Sequence, residues 1–421
     1  MKLSIPLLLA TAIPSLAATW QVGPGRTYAA PRAVAGLVAD GDTVLIDAGT
    51  YADEVATWSR SRLLLRGVGG FAHLKAPASI SNGKAIWVLS GNDITLDSIE
   101  FSGAAVPDLN GAGIRAEGTN LTIRRSHFHD NENGILGGKG HVRIEDSEFA
   151  RNGHGDGLSH NMYISNCDTF TLLRSYSHHA KIGHEVKSRA KVNIIVGNWI
   201  GNEANGTASY EIDLPNGGTS LVAGNFIQQS SSTDNSTLVT FGEEGLSNPG
   251  KDLHLVHNTL VNDRGSGTFV RLATGATGTV INNLWVGEGT WISGTADTAR
   301  NLHGTGADLI NRSGFDFRLA PTSSAINAGV ITPSFLGYAQ FPAWQFLRGT
   351  GPQSRLANSA PDIGAWETTS ANAIGTRMPH QTTARAGMRF DPRSSREAGT
   401  ITPDGRIQPA ASRATMPGAR P

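Results

Sequence analysis

Three seven-residue segments of this sequence collect the residue types that move protons and hold cations. Gly183 to Arg189 reads GHEVKSR; SHNMYIS begins 24 residues before it at Ser159, and SYEIDLP begins 26 residues after it at Ser209. Aligned, Met162, Val186 and Ile212 take the core-facing positions of short strands, and strand alternation sends their neighbours outward. The alignment predicts one exposed column of Asn161, Glu185 and Glu211 and a second of Tyr163, Lys187 and Asp213, on rungs about 4.8 Å apart. His160, His184 and Tyr210 fall at the corner where each strand begins, while Glu243, Glu244 and Arg271 join from later segments and His154 and Asp156 overhang from an earlier turn. Stacked carboxylates repel unless a cation or a proton lies between them. With a lysine, an arginine, a phenol and imidazoles beside them, the patch suits acid–base chemistry; a solvated face bridged by Lys187 is the plainer alternative.

The elements that must position these residues are repeats. LTIRRSHF, VRIEDSEF, VNIIVGNWI, TSLVAGNFI, LHLVHNTLV and GTVINNLWV each alternate apolar residues and then place a small or amide residue before another apolar one. Ser126, Ser147, Ser175, Asn198, Asn225, Asn258 and Asn283 occupy that turn position, at intervals of 21 to 33 residues. Such spacing suits one solenoid coil per repeat, with the amides stacked in a column inside it. The fold class is therefore all-β, a solenoid of short strands joined by the tight turns that 51 glycines in 421 residues supply.

The chain is 39% hydrophobic and 17% charged with a formal net charge of zero, which argues for a large core and against a nucleic-acid or membrane-surface partner. Lys2 followed by a short apolar run interrupted by Pro6 and Pro14 reads as an export signal over residues 1–17 rather than a membrane span, so a secreted or periplasmic monomer is expected. Cys167 is the single cysteine, so the core alone must hold the fold. Residues 18–367 read as the solenoid domain; after Glu367 the composition turns to Arg, Ala, Thr, Pro, Ser and Gly, as in a disordered basic tail over 368–421.

Over residues 20 to 367 the chain resembles the secreted right-handed parallel β-helix proteins of the pectin-lyase-like superfamily. The repeats carry the resemblance, together with the opening VGPGRTYAAPRAVAGLVADGDTVLIDAGTY and the closing DFRLAPTSSAINAG and PDIGAWE. It implies a short capping helix over Pro31 to Ala39, closing coils at the far end, and a polysaccharide lying along the solenoid. The superfamily includes lyases, hydrolases, epimerases and non-catalytic adhesins, so fold alone leaves the reaction open. HEVKS is similar to the Glu then Lys-Ser of the chondroitinase-B and alginate-lyase group, although the spacing is tighter here and SYEIDLPNGG stands where that group has an arginine-bearing segment. That likeness implies β-elimination on an acidic, uronic-acid-containing polysaccharide. Ca²⁺ would sit on Asn161, Glu185 and Glu211, with Lys187 as base and Arg189, Arg271, Tyr163, His160 or His184 near the leaving group; Tyr210 and Asp213 complete the set. Carboxylates beside a lysine favour its ammonium form, so this reading calls on the cation to offset them. A glycoside hydrolase using Glu185, Glu211 and Asp213, and a non-catalytic polysaccharide-binding protein, are the alternatives.

Overall fold

The computed structural model describes residues 17–356 and 360–368. The expected export signal and tail lie outside them, apart from Ala17 and Thr368. A 29-stranded sheet, parallel at every pairing, winds into coils of three short strands each. One coil runs from Met162–Ile164 in a first sheet to Thr169–Leu173 in a second and Tyr176–His178 in a third, and the next re-enters the first sheet at Val186–Ser188. Each strand pairs with its counterpart one coil on, so Tyr163 lies opposite Lys187 and Lys187 opposite Asp213. All-β architecture and the right-handed parallel β-helix follow the reading of the sequence.

The turn between the second and third sheets explains the repeat. The residue before each small or amide position is left-handed: Arg125, Asp146, Arg174, Gly197, Gly224, His257 and Asn282 have φ between 45° and 69°. That conformation turns the next side chain into the solenoid, where it accepts from the backbone of the preceding coil. Ser126 N–H donates to Ser147 Oγ at 3.1 Å, Ser147 N–H to Ser175 Oγ at 3.2 Å and Ser175 N–H to Asn198 Oδ1 at 2.8 Å. From there the side chains bond one another, Asn198 to Asn225, Asn225 to Asn258 and Asn258 to Asn283, at 2.9 to 3.0 Å. The expected single column is present, and it satisfies buried turn amides that no strand can reach. Beside it Phe101, Phe128 and Phe149 stack at 4.9 and 4.7 Å.

Both ends differ from expectation. In place of a helix over Pro31 to Ala39 the chain makes one 3-10 turn, Pro31–Ala33, because Ala30 offers no side-chain cap and Gly36 follows within a few residues. Pro31, Val34 and Val38 are nonetheless buried. Among the described residues no further coil follows Gly304. The chain makes three antiparallel pairs, the first of Leu309–Asn311 with Asp316–Leu319, and folds back along the outside of the solenoid as a strap. Phe317, Phe346 and Trp366 pack on Trp199, Phe226 and Val261 of the third sheet, and Tyr338 packs on Leu173, Ile194 and Leu221 of the second. Among the described residues the strap packs on these two sheets and leaves the outer face of the first sheet open, with Asp213 and Thr240 buried on its floor.

Candidate active site

The uncovered face presents one side chain per coil. Thr57, Val88, Arg115, Leu136, Tyr163, Lys187, Asp213, Thr240, Arg271 and Ser293 follow one another in register. At its centre Lys187 Nζ lies 3.2 Å from Asp213 Oδ2 and 2.9 Å from Glu244 Oε1. Thr240 Oγ1 donates to the other Asp213 oxygen at 2.8 Å, which fixes that carboxylate. Arg189 donates to Tyr163 Oη at 2.8 Å, to Asn216 Oδ1 at 2.7 Å and to Glu244 at 2.6 Å. Glu244 reaches back two coils because its loop is pinned, Glu244 N–H to Pro215 O at 3.0 Å and Asn248 Nδ2 to Ala190 O at 3.0 Å. Arg271 pairs with Glu243 at 3.0 Å on the open rim. Tyr163, Lys187, Asp213, Arg189 and Arg271 therefore share one surface. Thr240 and Asn216, which the sequence reading left out, hold two of them; Thr240 occupies the next place in the same column, and that register was the available signal.

His160, His184 and Tyr210 stack at the edge of this surface, the two imidazoles 4.5 Å apart and the phenol 5.0 Å from His184. His160 Nδ1 accepts from His184 N–H at 3.0 Å and His184 Nδ1 accepts from Tyr210 N–H at 3.3 Å. These bonds leave the proton of each neutral ring on Nε2, and His184 Nε2 faces Asp213 at 3.5 Å. Burial and the Lys187 ammonium bring His184 down to about 3, and burial and His184 hold His160 well below its ordinary value. At neutral pH both rings are donors rather than bases. Asp213 is raised by burial even though Lys187 and Thr240 oppose the shift.

The expected column of Asn161, Glu185 and Glu211 is overturned. All three are fully buried. Each immediately precedes its strand, where the alternating rule does not yet hold, and the corner turns it inward beside the core residue that follows. Asn161 continues a second amide ladder, accepting from Asn152 Nδ2 at 2.8 Å and donating to Glu185 Oε2 at 2.5 Å. Glu185 also accepts from Ala180 N–H at 2.9 Å and Ser177 Oγ at 2.9 Å. Glu211 accepts from Asn202 at 2.8 Å through Oε1, and its buried Oε2 has no partner. Burial pushes Glu185 up to about 8, and burial with the nearby Glu185 drives Glu211 well above the carboxylate range. The repulsion between the two is relieved by protons. These residues do not fit Ca²⁺, which needs six to eight accessible oxygens, whereas Asn161 turns an amide N–H₂ toward Glu185 and no substrate can reach either glutamate.

Fold and site together define a right-handed parallel β-helix with an ionisable cluster on the open face of its first sheet. A model of the right-handed β-helix region matches residues 78–236. Among solved structures the chain is similar to the pectate lyase Pel9A, with 16% identity, 84% of this chain and 97% of that chain covered, and a TM-score of 0.57. A pectin methylesterase from Aspergillus niger aligns at 11% identity over 69% of this chain and 87% of its own, with a TM-score of 0.33. No curated protein matches the sequence.

Proposed function

We propose that this protein is a secreted, carbohydrate-active enzyme that cleaves an acidic, uronic-acid-containing polysaccharide by β-elimination on the open face of the first sheet. The carrying observation is the Lys187–Asp213 pair, held at 3.2 Å on a nearly buried floor and ringed by Arg189, Arg271 and Tyr163. A sugar carboxylate can replace Glu244 on Arg189 and Glu243 on Arg271, since both glutamates sit on the exposed rim. A sugar chain lying over the pair removes the remaining water, and an ion pair loses its advantage over the neutral pair as its surroundings dry. The proton of Lys187 then passes to Asp213, whose burial already favours the acid. The neutral amine takes the proton from the carbon next to the sugar carboxylate. The bond from the adjacent carbon to the glycosidic oxygen breaks as the double bond forms, and the leaving oxygen receives a proton from Tyr163. No step uses Glu185 or Glu211, whose burial also removes two of the three carboxylates that a hydrolase would employ.

The test is a panel of anionic and neutral polysaccharides. Unsaturated, ultraviolet-absorbing ends from an anionic polymer support the reading. Reducing ends without unsaturation would make the protein a hydrolase, and retention of polymer without cleavage would make it a binding protein.

A further inference from the structure

We propose that the outer face of the third sheet holds a second site, a divalent transition-metal site built from His73, Glu100 and His129, with His127 beside it, that takes a cation of the zinc class. Three coils contribute. His73 lies opposite Glu100 and Glu100 opposite His127 in one outward column, and His129 stands two residues on, opposite Ser102. The ligand atoms of His73, Glu100 and His129 all lie within 4.8 Å of one another. His129 Nε2 is 2.8 Å from Glu100 Oε1, while His73 Nε2 and His127 Nδ1 approach the same oxygen at 3.8 and 3.9 Å. Small side-chain rotations bring such a set to the metal–ligand bonds of about 2.1 Å that zinc forms.

One further feature points to a ligand. Asp130 accepts from His129 Nδ1 at 2.7 Å and is itself gripped by Arg151 through two bonds of 3.1 and 2.9 Å. A carboxylate on the far nitrogen orients an imidazole whose other nitrogen ligates a metal. His127 turns Nδ1 toward Glu100 at 3.9 Å, while its Nε2 lies on the far side, 3.7 Å from Glu148. The four side chains are 16 to 23% exposed, open enough to admit an ion and closed enough to strip its water. Imidazoles with one carboxylate select zinc, nickel or copper over calcium or magnesium. Binding displaces the proton that His129 shares with Glu100 and ties three successive coils together. Among the described residues the strap meets this sheet at Tyr176, 6.0 Å from Phe346, and on later coils, which leaves the cluster on the earlier coils open.

The experiment titrates chelator-treated full-length protein with Co²⁺ and with Zn²⁺. Expected are one equivalent of Co²⁺ with the intense visible bands of a tetrahedral N/O site, and a thermal midpoint that rises with Zn²⁺. His73→Ala and His129→Ala should each weaken binding by at least tenfold. Glu100→Gln, which keeps the local hydrogen bonding, should do the same in a folded protein. Lys187→Ala and His178→Ala should leave binding unchanged. A weak octahedral Co²⁺ spectrum, or a Zn²⁺ response that survives His73→Ala and Glu100→Gln or disappears in His178→Ala, overturns the proposal.

Discussion

At Glu185 and Glu211 the chain keeps two carboxyl groups where water does not reach, and their protons take the place of a counter-ion. An unfolded glutamate titrates near 4.5, whereas burial pushes Glu185 up to about 8 in the fold and, with the nearby Glu185, holds Glu211 well above its ordinary value. A carboxyl raised by folding stabilises the native state fully below the unfolded value and loses that contribution as pH rises through the folded one. The thermal midpoint should therefore fall between about pH 4.5 and pH 8, with a loss on the order of 5 kcal/mol from Glu185 alone. Glu211→Gln should flatten that slope in a midpoint-versus-pH series; an unchanged slope would show that Glu211 does not titrate there. At the open face, Lys187→Ala should lower turnover about 10²- to 10⁴-fold while polysaccharide binding persists. Asp213→Asn should lower turnover alike, since an amide cannot accept the lysine proton. Measured kcat with a parallel binding isotherm separates these effects from lost affinity.

The amide columns are the elements on which the coils depend. Asn258 accepts the N–H and Nδ2 of Asn225 and donates to Val222 O and Asn283 Oδ1. Asn258→Ala strands several buried groups and should cost about 3 kcal/mol or more in denaturant unfolding. Asn258→Ser should cost less, because Ser147 and Ser175 meet the same backbone demand in the same column. This column was legible because spacing alone defines it: a small or amide residue after a fixed apolar pattern. The inward turn of Asn161, Glu185 and Glu211 was not, because period-two alternation applies only from Met162, Val186 and Ile212 onward. Tyr163, Lys187 and Asp213 lie within strands and share the register that the alternation predicts, although Lys187 and Asp213 are buried rather than exposed. The His–Glu column of the third sheet follows the same alternation through HFH and SEF, but only His127 and His129 share a segment, and the register alone joins them to Glu100 and His73.

Across the whole molecule the strap decides which face is open. Its segments carry no repeat, so the sequence offered no sign that they run back over the solenoid instead of extending it; the apolar DFRL and PDIGAWE mark burial without saying against what. A chain ending at Gly304 would bare Trp199, Phe226, Leu221 and Ile194 on two sheets. It should bind an environment-sensitive hydrophobic dye and self-associate, as read by scattering; a monomeric, dye-silent truncation would show that the strap is not a cover. The same strap also sets where tension would enter. Near its end Ala365 N–H is bonded to Thr259 Oγ1 at 2.9 Å and Gly364 N–H to Asn282 O at 2.8 Å, with Arg355 and Glu367 paired in the interior at 3.1 Å. A pull on the chain beyond Thr368 loads the solenoid at Thr259 and Asn282, one to two coils short of its end, while the last rungs, Thr290–Ser293 and Asp297–Ala299, hang outside the line of force until the strap has peeled away.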